Sequence, residues 1–165
     1  MTEASAMTFV RPALLAMLFG YASMSHAIDQ MVRIEGTVYA AIPCDINNGQ
    51  PIMGRFDEVQ TARIDGSYKT IDLTYQLDCR RATSNELRMQ VQAEPAFDAT
   101  LLKVPGQDNL GIAIKKDGAR LPVNSWVDFN SGKTPKLQAV LVKRANSEIK
   151  AGPFRAGATL VVDYR

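Results

Sequence analysis

AGPFRAGATLVVDYR, residues 151–165, holds the clearest periodicity in the chain. From Phe154 onward every second residue is apolar: Phe154, Ala156, Ala158, Leu160, Val162 and Tyr164. A period of two is that of a half-buried β-strand, whose side chains alternate between its two faces. Terminal residues fray unless a neighbour ties them down. An uncovered apolar edge is also a template for pairing with another chain. The sequence ends at Arg165, so no later strand is expected to cover this one.

The same alternation recurs upstream. Val32, Ile34, Gly36, Val38 and Ala40 interleave with Arg33, Glu35, Thr37 and Tyr39. Ile71, Leu73, Tyr75, Leu77 and Cys79 form a second apolar face, and Leu87, Met89, Val91 and Ala93 a third. Leu110, Ile112 and Ile114 lead into Asp117-Gly118, a hairpin signal, and Leu121 and Val123 follow. Leu137, Ala139 and Leu141 share one face before the final strand. Asn48-Gly49 and Asp65-Gly66 mark further turns. Phe56 and Val59 open another extended stretch, and residues 95–102 hold at most a turn or two of helix. About seven strands with regular turn signals argue for an antiparallel β-sandwich.

Composition narrows the function. The 165 residues are 46% hydrophobic and 22% charged, which fits one globular domain. A net charge of +2 gives no reason to propose nucleic acid as a partner. Residues 1–27 read as a secretory signal peptide: Arg11 before a short apolar run, then Ser25 and Ala27 at the −3 and −1 positions of a cleavage site. The single histidine, His26, falls inside that segment. The remainder therefore lacks the base of a Ser–His–Asp or Cys–His site and any histidine ligand for zinc. No catalytic residue, metal site or cofactor is expected. Asp57-Glu58 is read as a solvated turn, and Trp126, the lone tryptophan, is expected in the core rather than on a sugar-binding platform. In an exported chain, Cys44 and Cys79 read as one disulfide.

Two segments carry a family resemblance. IEGTVYAAIPCDINNGQPI at residues 34–52 and LQAVLVKRANSEIKAGPFRAGATLVVDYR at residues 137–165 resemble the first and last strands of pilin subunits assembled by the chaperone–usher pathway. The chain is most similar to minor tip or adaptor subunits of P-type pili. Tyr164 is penultimate, Gly152 is fourteenth from the end, and Cys44 follows a Gly-x-Val at residues 36–38, all as in that family. The resemblance implies an immunoglobulin-like sandwich lacking its last strand, with residues 41–165 as the pilin domain. It implies a donor strand in residues 28–40, with Val32, Ile34, Gly36 and Val38 pointing into a neighbour's groove. It implies a groove lined by Gly152, Phe154, Ala156, Ala158, Leu160, Val162 and Tyr164, facing Leu137, Ala139 and Leu141. A periodic partner set follows from it as well: a periplasmic chaperone gripping the carboxylate of Arg165, an outer-membrane usher, and adjacent pilin subunits. Secretion through the periplasm to a surface fimbrium is the implied route. The competing expectation is a secreted β-sandwich that binds carbohydrate.

Overall fold

A computed structural model describes residues 31–36 and 42–165 of the chain. The expected signal segment, residues 28–30, and Val38 with residues 37–41 lie outside the described residues. The chain divides into a unit ending at Val38 and a second unit, Tyr39–Arg165. In the first, residues 31–36 have no regular secondary structure, and Val32 and Ile34 are 79% and 90% exposed.

Among its described residues the second unit is all-β, with two single-turn 3₁₀ segments at Asn47–Gly49 and Thr61–Arg63. Its strands are β1 (Asp45–Ile46), β2 (Ile71–Leu73), β3 (Leu77–Asp78), β4 (Glu86–Gln92) and β5 (Leu102–Lys103). There follow β6 (Leu110–Lys116), β7 (Ala119–Leu121), β8 (Val127–Asn130), β9 (Leu137–Lys143) and β10 (Thr159–Tyr164). One sheet runs β2-β9-β6-β5, with β7 also on β6. A second runs β10-β4-β8, and β1 pairs with β3 alone. Every described ladder is antiparallel.

The two larger sheets form a sandwich around one core. Met89 and Val91 of β4 meet Ile112 and Ile114 of β6 and Leu137, Ala139 and Leu141 of β9 there. Inward positions are spaced by two on each strand, so one face of each sheet enters the core and the other meets solvent or a covering loop. Asp117 and Gly118 have φ of 52° and 85°, the conformation of a two-residue hairpin turn, and join β6 to β7 as the sequence suggests.

Four expectations are corrected. The described residues hold ten strands where about seven were expected, in part because the run from Ile71 to Cys79 changes partner. β2 joins β9 in the sandwich, and β3 turns to β1. Residues 95–102 contain no helix. Pro95 bridges to Leu102, and the loop lays Leu101 and Phe97 over Ala113 and Val140 on the outer face of β6 and β9. Trp126 is 41% exposed instead of buried, with the Arg88 guanidinium 4.5 Å from its ring centre. Finally, regular strand in the last stretch begins only at Thr159, five residues after Phe154.

Candidate functional site

The late start of β10 has a structural cause. β10 pairs with β4 from Thr159–Gln92 to Tyr164–Leu87. Upstream of Thr159 that partner has turned away. Among the described residues, the backbone of residues 153–158 joins no ladder and makes no backbone hydrogen bond. The other edge of β10 is likewise unpaired among the described residues. An extended, apolar, unpaired stretch thus borders the sandwich where a further strand would fit.

A cleft of about 630 Å³ opens beside it. One wall is Ala156, Gly157, Ala158, Thr159 and Leu160. The opposite wall comes from residues 49–56 and from Ile71 and Leu73 of β2. Its floor is sandwich core: Val91, Leu102, Ile112, Ile114, Leu137 and Ala139. Core residues lining an open cleft mean that the apolar layer is incomplete on this side. Gly54 belongs to the far wall because the chain passes tightly over β2 there. A Cβ on it would stand 2.6 Å from Leu73 Cδ2.

The ring of Phe56, on the cleft wall, lies 6.0 Å from that of Phe154, which lines a neighbouring pocket, and the two are tilted by 42°. Beyond Phe154 is a smaller pocket of about 100 Å³, lined by Val59, Ile64, Leu110, Leu141, Ile149 and Gly152 among others. Gln107 and Asn109 fix that end by donating side-chain hydrogen bonds to the carbonyls of Lys150 (2.8 Å) and Glu148 (3.0 Å).

The sequence-predicted groove residues separate accordingly. Ala156, Ala158, Leu160, Leu137 and Ala139 line the main cleft; Phe154, Gly152 and Leu141 line the small pocket. Val162 packs against the core beside Leu160. Tyr164 and Arg165 serve to secure the strand end. The Tyr164 hydroxyl accepts from the Thr83 N–H at 3.1 Å, and hydrogen bonds from Thr83, side chain first, lower its pKa. Arg165 pairs with Asp128 of β8 at 3.2 Å. On the outer face Arg88 of β4 pairs with Asp163 at 2.7 Å, and that hydrogen bond is the leading cause of a lowered Asp163 pKa. Cys44 and Cys79 are joined in a disulfide across the short β1–β3 ladder. Sequence reading missed the 49–56 wall and Phe56's place opposite Phe154. Residues 50–54 have no clean period, and the only local sign was apolar Ile52 and Met53 between two turn-formers.

No group of acidic, histidine or cysteine residues among those described could hold a metal ion. The cleft offers apolar surface and unpaired backbone, which is the chemistry of strand pairing rather than of bond making.

Comparison with known proteins agrees with this geometry. The model of the family described as Fimbrial protein matches residues 32–165. The fimbrial-like protein YfcR of Escherichia coli (strain K12) is 32% identical over 146 residues, covering 86% of this chain and 83% of that one. The fimbrial-like protein YfcQ of the same strain is 28% identical over 165 residues, covering 94% of this chain and all of the other. Among solved structures, the P pilus adaptor subunit PapF superposes with a TM-score of 0.56 at 21% identity, over 74% of this chain and 96% of that one. The P pilus rod subunit PapA gives 0.57 at 19% identity, over 83% and 100%. At those identities the two structures speak for the fold, an immunoglobulin-like sandwich short of one strand. With the family model spanning both the open cleft and the strands around it, the chain belongs to the fimbrial protein family, a family of structural subunits and not of enzymes.

Proposed function

We propose that this chain is a minor structural subunit, at the tip or as an adaptor, of a surface pilus, and that it polymerises by donor-strand exchange and so supports cell adhesion. The observation that carries the reading is the unpaired apolar stretch at residues 153–158 beside a cleft floored by core residues. A β-strand laid there would bond to free backbone and fill the missing core layer. In this reading residues 1–27 are a signal peptide, residues 28–40 the donor segment and residues 41–165 the acceptor domain. Val32, Ile34 and Val38 supply the donated side chains, and Gly36 crosses a shallow place in the groove. A periplasmic chaperone holds the cleft before assembly and contacts the carboxylate of Arg165. An outer-membrane usher and adjacent pilin subunits complete the partner set.

Heterologous head-to-tail pairing does not close and therefore builds a filament. A donor segment with only residues 28–31 ahead of Val32 is short, which suits a minor subunit. The reading as a carbohydrate-binding module has less support. Trp126, the natural stacking platform, already has the Arg88 guanidinium over its ring.

Immunogold labelling of intact pili tests the position. Gold confined to filament tips is the expected result. Gold along the whole shaft, or pili of normal form and adhesion when this chain is deleted, would overturn the minor-subunit reading.

A further inference from the structure

The outer face of the larger sheet carries charges for which strand acceptance has no use. On β6, Ile112 and Ile114 enter the core, while Gly111 and Ala113 face outward beneath Leu101 of the covering loop. The period of two then sets Lys115 outward as well. In the β6–β7 ladder Lys115 stands directly opposite Arg120. Directly opposite residues share a face, with Cβ atoms about 5 Å apart, and like charges so placed destabilise the pair. The neighbour of Lys115 on its other side is Gln138 of β9, whose amide donates to Asp72 Oδ1 at 2.8 Å.

The carboxylates around this hairpin are engaged elsewhere. Asp72 also pairs with Lys136 at 3.1 Å. Asp117, in the hairpin turn, accepts the Lys136 N–H at 2.9 Å and pairs with Lys116 at 3.1 Å. Asp98 accepts from both the N–H and the hydroxyl of Thr100, each at 2.8 Å. The Arg120 guanidinium donates to the same hydroxyl oxygen at 3.2 Å, which orients it without neutralising it. Lys133 lies near enough that its charge adds to the lowering of the Asp117 pKa, after the Lys136 N–H and the Lys116 side chain. Among the described residues, Lys115, Arg120 and Lys133 pair with no carboxylate. Three cations are thus left over around one hairpin, and the strand register forces two of them together.

A local excess of one charge attracts a ligand of the opposite charge. The surroundings choose among such ligands. Single-stranded nucleic acid needs aromatic faces on which bases stack. Residues 115–120 and 131–138 contain no aromatic residue, the Tyr75 hydroxyl is tied to the Pro135 carbonyl at 2.7 Å, and Phe97 has the Arg144 guanidinium over its ring. A membrane surface needs large apolar side chains to insert, and the turn offers Asp117, Gly118 and Ala119. A polysaccharide bearing sulfate or carboxylate groups needs neither. It binds through charge-assisted hydrogen bonds to lysine and arginine.

We infer that Lys115, Arg120 and Lys133 form a surface that binds an acidic polysaccharide. None of the three lines the cleft, so the inference stands apart from strand acceptance, and it makes no use of Trp126.

The test titrates heparin and polygalacturonate onto the full chain, with neutral dextran, polyglutamate and phosphatidylserine vesicles alongside. At least one of the two acidic polysaccharides should bind, dextran should not, and binding should weaken as salt rises. Lys115→Gln with Arg120→Gln should weaken it about tenfold, the scale of one charge-assisted hydrogen bond. Lys143→Gln with Arg81→Gln removes the same charge elsewhere and should change binding by less than about twofold. Thermal unfolding of Lys115→Gln checks the fold: its midpoint should equal or exceed the parent's, because a repulsion is gone. A lower midpoint would contradict the reading of the Lys115–Arg120 pair. Equal losses in the two double variants would reduce the effect to net charge and overturn the site. Polyglutamate or vesicles binding as tightly as the polysaccharides, with the same loss in the Lys115 and Arg120 variant, would overturn the choice of polysaccharide. No binding of heparin or polygalacturonate would overturn the inference outright.

Discussion

β9 and the last stretch of the chain share one apolar alternation but not one fate. Leu137, Ala139 and Leu141 of β9 are 3%, 4% and 1% exposed. Phe154, Leu160, Val162 and Tyr164 are only partly buried, and Ala156 and Ala158 are exposed. β9 is flanked on both sides, by β2 and β6, whereas β10 has β4 alone among the described residues. The pattern of a strand specifies which face is apolar; the number of neighbours determines whether that face is buried. A stretch with no paired neighbour keeps its apolar alternation and loses the regular backbone, as residues 153–158 do among the described residues.

That contrast can be tested by supplying the neighbour. In a version with residues 28–36 deleted and a copy of residues 30–40 fused behind Arg165 through a flexible linker, Val32, Ile34 and Val38 gain a groove. At about 1.5–3 kcal/mol for each buried aliphatic side chain, the gross gain is about 5 kcal/mol or more over the deletion alone. Thermal and denaturant unfolding should show one sharp transition at much higher temperature. Identical unfolding of the two versions would mean that no strand is missing.

Next in size is the disulfide. Cys44 and Cys79 are 35 residues apart, so replacing both with alanine should cost up to about 4 kcal/mol in the chain-entropy account. The loss should be similar with and without the fused strand, since the disulfide closes the two-stranded β1–β3 ladder, in which β10 takes no part.

Core truncations sharpen the comparison further. Leu141→Ala, in a strand already enclosed, should cost about 2–5 kcal/mol in either background. Leu160→Ala should cost about 1 kcal/mol in the donor-free chain, where the side chain is half solvated, and about 2–3 kcal/mol once the strand is fused. Equal costs for Leu160→Ala in the two backgrounds would show that its surroundings do not change.

The smallest effect concerns acid. Asp65 Oδ1 accepts from the N–H groups of Ser67 and Tyr68, each at 2.8 Å, and these bonds hold its pKa down to about 2. A depressed folded-state pKa gives stability that is present above the unfolded value near 4 and is lost as pH falls toward 2. Asp65→Asn should therefore flatten the decline in stability between pH 4 and 2. Because this turn lies outside the cleft, the slope should be the same with and without the fused strand.

Much of this was legible in the residues, for a physical reason. Alternation is a local property, and turns such as Asp117-Gly118 are fixed by the backbone freedom of those two residues. The faces of β4, β6 and β9 followed directly. What local pattern does not encode is which strand lies alongside. The run from Ile71 to Cys79 keeps its alternation throughout, yet it serves two different ladders. Residues 154–158 read as strand and, with no partner in place, are not. Trp126 followed its hydrophobicity in the sequence reading, while in the fold it is partly exposed beneath the Arg88 guanidinium, which also pairs with Asp163. The Phe56–Phe154 pair joins residues 98 positions apart in sequence, beyond any local signal.

The most direct measurement is amide hydrogen exchange across residues 153–158, in the deletion version and in the fused one. Their N–H groups join no ladder among the described residues. The account requires fast exchange at Arg155, Gly157 and Ala158 without the extra strand, and strong protection at alternate amides with it, while β9 stays protected throughout. Protection of residues 153–158 in the donor-free version, or its absence in the fused one, would contradict the claim that this edge is the seat of a missing strand.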